Sequence, residues 1–385
     1  MPSSQGLSTR TLADILREQI ARHGPMRFDC YMSHCLYSEH GGYYNRANLT
    51  IGRKGDFYTS VSVGSVWGQL MANQFQEIWE KLDRPADFVI CEAGAHDGQF
   101  AADVYTEWRR ISSPLQSMAH YIFIEPLTPC LRIQKKTMQP FITKGARLSW
   151  IKSLSDLDPL SLTGIIFTNE VIDSLPVRLI RFVENKWREI YVGASESGGD
   201  FYEVEGPIDD DVRQEIELWK IPPIEGYTTE LHLEARNWIR EAARVLKRGA
   251  IITVDYGLSA EEYYDPIRSL GTLRCYSKHR QLANPLQNPG LQDITAHVNW
   301  SLLRHESQRC GLQEIGFCDQ RHFLVGLWPD FFSSFTHTNP IEPKILRGFQ
   351  ALIHPEHLGR AFKFLIYGRE WPAGYVMKGL TAHKG

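Results

Sequence analysis

The chain has 385 residues, 43% of them hydrophobic and 23% charged, and its formal net charge at pH 7 is -3. This composition is typical of a globular protein with a full hydrophobic core, built as one large domain with appendages or as two domains. It provides no basic surface that would indicate a nucleic-acid partner, and no apolar run approaches the ~18 residues that a membrane span requires.

Cysteine usage and the first residues predict a cytoplasmic protein. The seven cysteines form no C-x-x-C pair and are odd in number, which is typical of reduced, structural thiols. The first ten residues lack the apolar core of a secretory signal and make no convincing transit peptide, although the mitochondrial matrix is the alternative for a eukaryotic chain. The group Cys30, His34, Cys35 and His40 matches no zinc spacing, so we expect no metal site.

The first 84 residues predict a helical extension. An amphipathic pattern runs from Ser8 to His23, and a second short helical segment carries Phe28 to Leu36. The polar, glycine-rich segment over residues 38–60 lacks periodicity, and such long irregular segments are usually functional or mobile. A third helix is predicted from Ser65 to Leu82. We expect this extension to cover the functional site of the domain formed by residues 85–385.

The stretch FVICEAGAHDGQF, from Phe88 to Phe100, predicts a strand, a glycine turn and a helix. Its apolar run reaches Glu92, and the turn carries Gly94 and Gly98. In an open parallel sheet, this arrangement presents backbone N–H groups and a helix N-terminus to a nucleotide-like ligand. A side chain at the glycines would block that approach. The spacing is E-x-G-x-x-x-G rather than G-x-G-x-x-G, so a plain strand-to-helix turn explains this motif equally well.

The next predicted strand, within AHYIFIEP, ends in Glu125 and Pro126. An acid at the carboxyl end of the second strand is placed to accept hydrogen bonds from both ribose hydroxyls of a nucleotide. A solvated acid at a strand end is the alternative explanation.

Strands and helices continue to alternate after Pro126. The predicted elements are a helix in PCLRIQKKTM, a strand up to Leu154, a buried strand over 165–168, a hairpin over 177–206, a helix from Thr229 to Lys247 that stops at Gly249, a strand in AIITVDYG, a helix from Asp293 with that residue as N-cap, and a last strand in AFKFLIYG. We expect residues 177–226 to be an insertion and residues 258–330 to lie on the substrate side.

Polar side chains follow four of these strands. They are Glu92, Glu125, Asn169 with Glu170, and Asp255. Ligands of doubly wound sheets bind outside the carboxyl ends of the strands, so these side chains together predict one site more strongly than any single motif does.

Several longer strings occur in the order of a known family: GGYYNRANLTIGRKGDFYTS, NEVIDSLPV, VDYG, GTLRCYSKH and PGLQDITAHVNW. In these strings the chain resembles the MidA-like, S-adenosylmethionine-dependent methyltransferases, which include a mitochondrial assembly factor of respiratory complex I. The resemblance extends from about Leu12 to Phe364. It implies an α/β fold of class I methyltransferase type, Rossmann-like and doubly wound, with a mostly parallel seven-stranded sheet, a helical N-terminal extension and an inserted β-hairpin.

The resemblance also implies the cofactor S-adenosyl-L-methionine and the residues that hold it. The expected cofactor-binding residues are Glu92, Gly94, Gly98, Glu125, Pro126, Leu154, Asn169, Thr59 and Ser60. The family segment that helps to cover the cofactor begins at Gly55, Asp56 and Phe57. Two departures stand out, because His96 replaces the middle glycine of the loop and Val61-Ser62 replace a family proline and glutamate.

Three functions remain open at this point. The first is methylation of an arginine-type nitrogen in a protein substrate, in which Glu170 and Asp173 face the acceptor and take up the released proton. The second is a small-molecule methyltransferase, where a hydroxyl acceptor would favour His279 or His297 as the base. The third is a non-catalytic assembly factor, suggested by His96. Asp173 could instead be an acid at a helix N-terminus, and the apolar N-terminal helices would permit a homodimer.

Overall fold

The computed structural model describes residues 10–46, 59–195, 199–277, 280–282, 284–336 and 340–381. The chain forms two compact units. The larger comprises Thr50–Leu175, Glu234–Tyr263 and His297–Gly385, and the smaller comprises Met1–Leu49, Pro176–Leu233 and Tyr264–Ala296. No helix within the described ranges is long and apolar enough to cross a membrane.

A central sheet organises the larger unit. Its strands are β1 Phe88–Ala93, β2 His120–Ile124, β3 Arg147–Ile151, β4 Leu162–Asn169, β5 Leu246–Leu258, β6 Gln313–Asp319 and β7 Phe362–Arg369. They lie in the order β6-β7-β5-β4-β1-β2-β3. Only β7 runs antiparallel to its neighbours, while β1 to β5 pair in parallel, and the two-residue strand Val298–Asn299 adds to the end of β5. The doubly wound, mostly parallel sheet that the sequence predicts is confirmed.

Helices connect these strands and supply much of the core. Those of the larger unit are Val66–Lys81, Gln99–Arg110, Leu115–Met118, Thr128–Ile142, Leu233–Val245 (whose first residue belongs to the smaller unit), Ala260–Tyr263, Trp300–Arg309, Gln320–Ser333, Pro343–Ile353 and Leu358–Ala361. The core contains a buried aromatic group in which Phe100 stacks on Phe167 at 4.8 Å between ring centroids, with Phe75 edge-on to both. Because Phe100 follows the glycine turn and Phe167 lies in β4, this packing fixes the helix after β1 against the sheet.

The smaller unit has its own sheet and helices. Its first sheet contains Met26–Arg27, Arg178–Val183, Lys186–Ala194, Phe201–Gly206 and Thr228–Leu231, and its second contains Arg274–Ser277, Arg280–Leu282 and Asp293–Thr295. Its helices are Leu12–His23, Phe28–Tyr37 and Asp210–Trp219. The buried Arg178 donates to Glu189 and, at 2.7 Å, to Asp209. This pairing satisfies a buried guanidinium, which would otherwise be costly to desolvate.

The structure corrects two predicted elements and adds a strand that was not predicted. Thr228–Leu231 is a strand paired with Arg178–Arg181, so the helix predicted from Thr229 begins only at Leu233, and β5 begins before Gly249. Asp293 is no helix N-cap, because Asp293–Thr295 pairs as a strand and the next helix, Trp300–Arg309, is capped by Asn299. The edge strand Gln313–Asp319 was not predicted at all.

Candidate functional site

The carboxyl ends of three central strands meet at one edge of the sheet. Ala93 at the end of β1 pairs with Ile124 at the end of β2 and with Thr168 near the end of β4. Gly94 and Glu125, which follow their strands, and Asn169, which ends β4, are therefore brought to the same edge, as a single site requires.

The glycine turn is compact and leaves its first glycine exposed. Gly94 has φ +73°, and a Cβ there would lie 2.4 Å from Cγ2 of Val171, which follows the Asn169-Glu170 pair. Gly98 has φ +78° and immediately precedes the helix Gln99–Arg110, and its N–H donates to Ala95 O at 2.7 Å. The turn thus contacts the segment after β4 and keeps a bare backbone at the exposed position, where a ligand can approach closely.

His96 fits this turn in a left-handed conformation. Its φ is +45°, which is uncommon for a residue other than glycine. The half-buried imidazole lies with Nδ1 3.8 Å from Oδ1 of Asp97, and the backbone carbonyl accepts a hydrogen bond from Gln134 Nε2 at 3.1 Å. The turn thus accommodates His96 in this conformation, with its backbone carbonyl held by Gln134.

Glu92 is a buried acid directly before the turn. It is 4% exposed, and the hydroxyl of Tyr121 donates to its Oε2 at 2.7 Å. Burial raises the pKa of Glu92 to about 8, because desolvation outweighs the hydrogen bond from Tyr121. The side chain is therefore largely protonated at pH 7 and becomes ionised when a positive charge comes near.

Glu125 is held by two donors, one on each carboxylate oxygen. Leu127 N–H donates to Oε1 at 2.9 Å and Gln134 Nε2 donates to Oε2 at 2.7 Å. Burial raises its pKa above the usual value, against these two hydrogen bonds. A carboxylate has about four acceptor positions, so about two remain for hydroxyl groups of a ligand. Pro126, next to it, is exposed, and Leu154 is buried in a short turn after β3.

Sequence reasoning missed Gln134, which is completely buried beneath this edge. Its Nε2 bonds both His96 O and Glu125 Oε2, and its Oε1 accepts from the indole N–H of Trp150 at 3.1 Å. One signal was available, because Gln134 lies on the buried stripe of its helix with Cys130 and Met138. A glutamine on such a stripe needs hydrogen-bond partners inside the protein.

Asn169 and Glu170 turn away from the end of β4 and meet Ser60. Asn169 Nδ2 and Ser60 N–H each donate to Glu170 Oε1 at 3.0 Å, and Ser60 Oγ donates to Gln320 at 3.0 Å. The side-chain oxygen of Asn169 is buried, and no donor reaches it among the described residues. Such an acceptor is the kind of atom that a bound ligand satisfies. Thr59 is bonded to Ser62 through both backbone and side chain.

Asp173, Tyr256 and Asp255 form a second polar group beside Glu170. The Tyr256 hydroxyl donates to Asp173 Oδ2 at 2.6 Å, and Asp255 accepts the backbone N–H groups of Val171, Ile172 and Asp173 at 3.0 to 3.3 Å. Asp255 is fully buried and therefore orients the turn that carries Asp173. Asp255, the acid predicted at a strand end, thus contacts the backbone of Asp173, the acid that follows β4.

The carboxyl groups of this second group have raised pKa values. Burial raises the pKa of Glu170 to about 8 and that of Asp173 to about 6. Burial, then the neighbouring Asp173, raises the pKa of Asp255, against the backbone N–H groups that it accepts. Within the described ranges, no ion pair joins Glu170 or Asp173 to a basic side chain. Three crowded acids without a cation form an environment that favours a positively charged ligand.

Some predicted residues cannot be compared with the structure. His279 lies outside the described residues, as do Gly55, Asp56 and Phe57 of the covering segment. His297 is described and half-buried, and its ring lies edge-on to Tyr256 with 5.2 Å between centroids. Of the predicted site residues that are described, Glu170 and Asp173, the predicted catalytic pair, lie next to the predicted cofactor-binding residues Asn169 and Ser60.

Comparison with known proteins decides the family. A family model of S-adenosyl-L-methionine-dependent methyltransferases matches residues 70–318. The chain belongs to this family. The methyltransferase shares 26% identity with the mitochondrial protein arginine methyltransferase NDUFAF7 homolog of Drosophila melanogaster, over 92% of this chain and 84% of that protein. It shares 25% identity with human mitochondrial NDUFAF7, also a protein arginine methyltransferase, over 91% and 81% of the two chains.

A solved structure gives the same result. A protein of Burkholderia thailandensis crystallised with S-adenosyl-homocysteine is similar in fold, with a TM-score of 0.85 and 27% identity, covering 99% of this chain and 97% of that one. The predicted enzyme class and cofactor are therefore confirmed. The predicted cytoplasmic location is not confirmed, because the curated relatives are named as mitochondrial proteins.

The residues at the sheet edge fit this cofactor. The exposed Gly94 keeps a backbone without a side chain at this edge, and the Asn169 oxygen, which no donor of the described residues reaches, is an acceptor for a ligand donor. Glu92 can carry a negative charge for a cationic methionine end, and Glu125 keeps acceptor positions for ribose hydroxyls.

Proposed function

We propose that this methyltransferase transfers a methyl group from S-adenosyl-L-methionine to a guanidinium nitrogen of an arginine in a protein substrate. The observation that carries the proposal is the group of Glu170, Asp173 and Asp255, which lies beside the predicted cofactor residues and has raised pKa values. The names of the curated relatives, protein arginine methyltransferases, support the same substrate class.

On the cofactor side, the predicted residues hold S-adenosyl-L-methionine at its methionine end and at its ribose. Gly94 and Gly98 admit the methionine end, which Glu92 and Asn169 orient through hydrogen bonds. Glu125 accepts the ribose hydroxyls. The remaining residues, Pro126, Leu154, Thr59 and Ser60, line the same site without a separate chemical role. When bound, the cofactor supplies an activated methyl group on sulfur, and the protein mainly contributes positioning and electrostatics.

On the acceptor side, Glu170 and Asp173 bind the guanidinium. One oxygen of each is already fixed, by Ser60 and Asn169 in one case and by Tyr256 in the other. This fixation lets the carboxyl groups face a planar cation with little loss of side-chain entropy.

This pair of acids also takes up the proton that the reaction releases, with Asp173 as its acceptor. As the new C–N bond forms and the bond from sulfur to the methyl carbon breaks, the guanidinium nitrogen loses a proton. Asp173, with a pKa of about 6, is a stronger base than an ordinary aspartate and is still mostly ionised at pH 7.

The test is incubation of the full chain with methyl-labelled S-adenosyl-L-methionine and cell extract. The expected result is label in the protein fraction, with methylarginine in its acid hydrolysate. Asp173→Asn keeps the shape of the side chain and an acceptor for Tyr256, yet should lower the rate at least about 100-fold because the base is lost. Asp103→Asn is the matched control, since Asp103 is also buried, has a pKa that burial likewise raises to about 6, and accepts a hydrogen bond from Gln99 of its own helix at 2.8 Å.

Other outcomes contradict the proposal in distinct ways. Label in small metabolites alone would indicate a small-molecule methyltransferase and would direct attention to His279 or His297 as a base. Cofactor binding without label in any fraction would indicate a non-catalytic assembly factor. Equal rates for Asp173→Asn and the wild type would remove Asp173 from the proposed chemistry.

A further inference from the structure

Among the described residues, Gln134 is the buried side chain that bonds both the glycine turn and the predicted ribose acid. It is 0% exposed, and all three of its hydrogen bonds go to this region: to His96 O at 3.1 Å, to Glu125 Oε2 at 2.7 Å and from Trp150 Nε1 at 3.1 Å. Neither the family motifs nor the proposed function assigns it a role.

The orientation of the Gln134 amide is fixed by its partners. Its oxygen accepts from the Trp150 indole, which can only donate, and its NH₂ group therefore faces the two acceptors, His96 O and Glu125. A reversed amide would present its oxygen to a carboxylate and its NH₂ to an N–H donor. Trp150 stacks on Phe123 of β2 with 5.1 Å between ring centroids, so the donor that sets this orientation is itself held by the sheet.

We propose that Gln134 is a positioning residue for ribose recognition, holding the Glu125 carboxylate and the glycine turn at a fixed separation so that the remaining lone pairs of Glu125 accept a vicinal diol. Leu127 N–H occupies one oxygen of Glu125 and Gln134 occupies the other. Each oxygen then has about one acceptor position left, and these two positions match two hydroxyl donors on neighbouring carbons. The inference rests on the proposed cofactor role of Glu125.

The contact between Gly98 and Gln134 supports this assignment independently of the hydrogen bonds. A Cβ on Gly98 would lie 3.4 Å from Gln134 Cα and 3.6 Å from its Cβ. The backbone of the turn therefore packs directly on this residue as well as bonding to its amide. A movement of Gln134 would therefore displace both the glycine turn and Glu125.

The experiment compares the binding of S-adenosylhomocysteine and its 2′-deoxy analogue by calorimetry. The wild type should prefer the diol by about 10- to 100-fold, the usual effect of one hydrogen bond to a charged acceptor. Gln134→Met keeps the length of the side chain and removes the amide. It should weaken S-adenosylhomocysteine binding about 10- to 100-fold and reduce the preference to less than about threefold, because Glu125 is no longer held.

Two further variants separate the positioning role of Gln134 from its effect on the stability of the protein. Gln74→Met is the matched control, since Gln74 is also 0% exposed and bridges Glu77 and the backbone of Gly379 away from this edge. It should lower the melting temperature similarly but keep the wild-type preference. Trp150→Phe keeps the ring stacking and removes the donor to the amide, so it should reduce the preference by a smaller factor in the same direction.

The outcomes are distinguishable. An unchanged preference in Gln134→Met overturns the inference, and if that variant does not fold, an unchanged preference in Trp150→Phe overturns it instead. A wild type that does not bind S-adenosylhomocysteine overturns the proposed cofactor site together with this inference. A wild type that binds with a strong preference, lost in Gln134→Met but kept in Gln74→Met, supports both.

Discussion

Binding of S-adenosylhomocysteine should strengthen as the pH rises toward 8, because of Glu92. Burial raises the pKa of this acid to about 8, above the value near 4.5 of an unburied glutamate. In the proposed site it faces a cationic methionine end, which binds the ionised form more tightly. With a pKa of about 8, about 1 in 100 Glu92 side chains is ionised at pH 6 and about 1 in 10 at pH 7. The association constant for S-adenosylhomocysteine should therefore rise up to about tenfold between pH 6 and pH 7.

The same shift has the opposite effect on the stability of the ligand-free protein. Since the folded pKa of Glu92 lies above its unfolded value, its contribution to stability is fully present below about pH 4.5. That contribution is lost as the pH rises through about 8. The free protein should thus become less stable over the pH range in which it binds the cofactor product more tightly. Binding at pH 7 should release about one proton per ligand.

Calorimetry between pH 6 and 7.5, in buffers of different ionisation enthalpy, measures both the affinity and the released proton. Glu92→Gln keeps the acceptor for Tyr121 but cannot ionise, so its affinity should be nearly independent of pH. Glu170→Gln is the control, because Glu170 has a pKa of about 8 as well but belongs to the acceptor side. The reasoning is refuted if Glu92→Gln keeps the wild-type pH dependence or if Glu170→Gln abolishes it.

Three further substitutions test individual contacts. Gly94→Ala should lower the free energy of unfolding by about 2 kcal/mol or more, because φ +73° disfavours a side chain and the new methyl meets Val171 at 2.4 Å. In denaturant unfolding, adding Val171→Ala should restore part of this loss. If Val171→Ala restores none of it, the clash does not cause the loss. His96→Gly should change stability by less than about 1 kcal/mol and S-adenosylhomocysteine affinity by less than about threefold, since relief of the left-handed conformation offsets the entropy of glycine; a tenfold change in calorimetry would show that the imidazole acts on the ligand. Tyr256→Phe removes the hydrogen bond that lowers the pKa of Asp173, so the acidic limb of the kcat/KM profile should move up by about one pH unit; an unmoved limb would exclude Asp173 as the titrating group.

The central strands could be predicted from sequence because they are buried on both faces and appear as continuous apolar runs. The same reason explains the site residues that were found, since polar side chains at the ends of such runs must meet at one edge. The edge strand Gln313–Asp319 was missed because none of its residues is fully buried, so its apolar signal is weak.

Errors arose where pairing partners distant in sequence decided the local structure. Thr228–Leu231 continues a helical pattern in sequence but becomes a strand because Arg178–Arg181 pairs with it. Asp293 resembles an N-cap, yet it pairs with Tyr276 and accepts the hydroxyl of Tyr44 at 2.8 Å. The buried stripe of its helix indicates that Gln134 is buried, but its partners lie on other elements, which the local pattern does not identify.

The most direct test of the central claim is a crystal structure of this chain with S-adenosylhomocysteine. Our account predicts density along the carboxyl edge of β1, β2 and β4, with the ribose hydroxyls on Glu125, the amino acid end at Gly94 and a donor near Asn169 Oδ1. Density elsewhere, or a ligand at this edge whose ribose does not contact Glu125, would contradict the account.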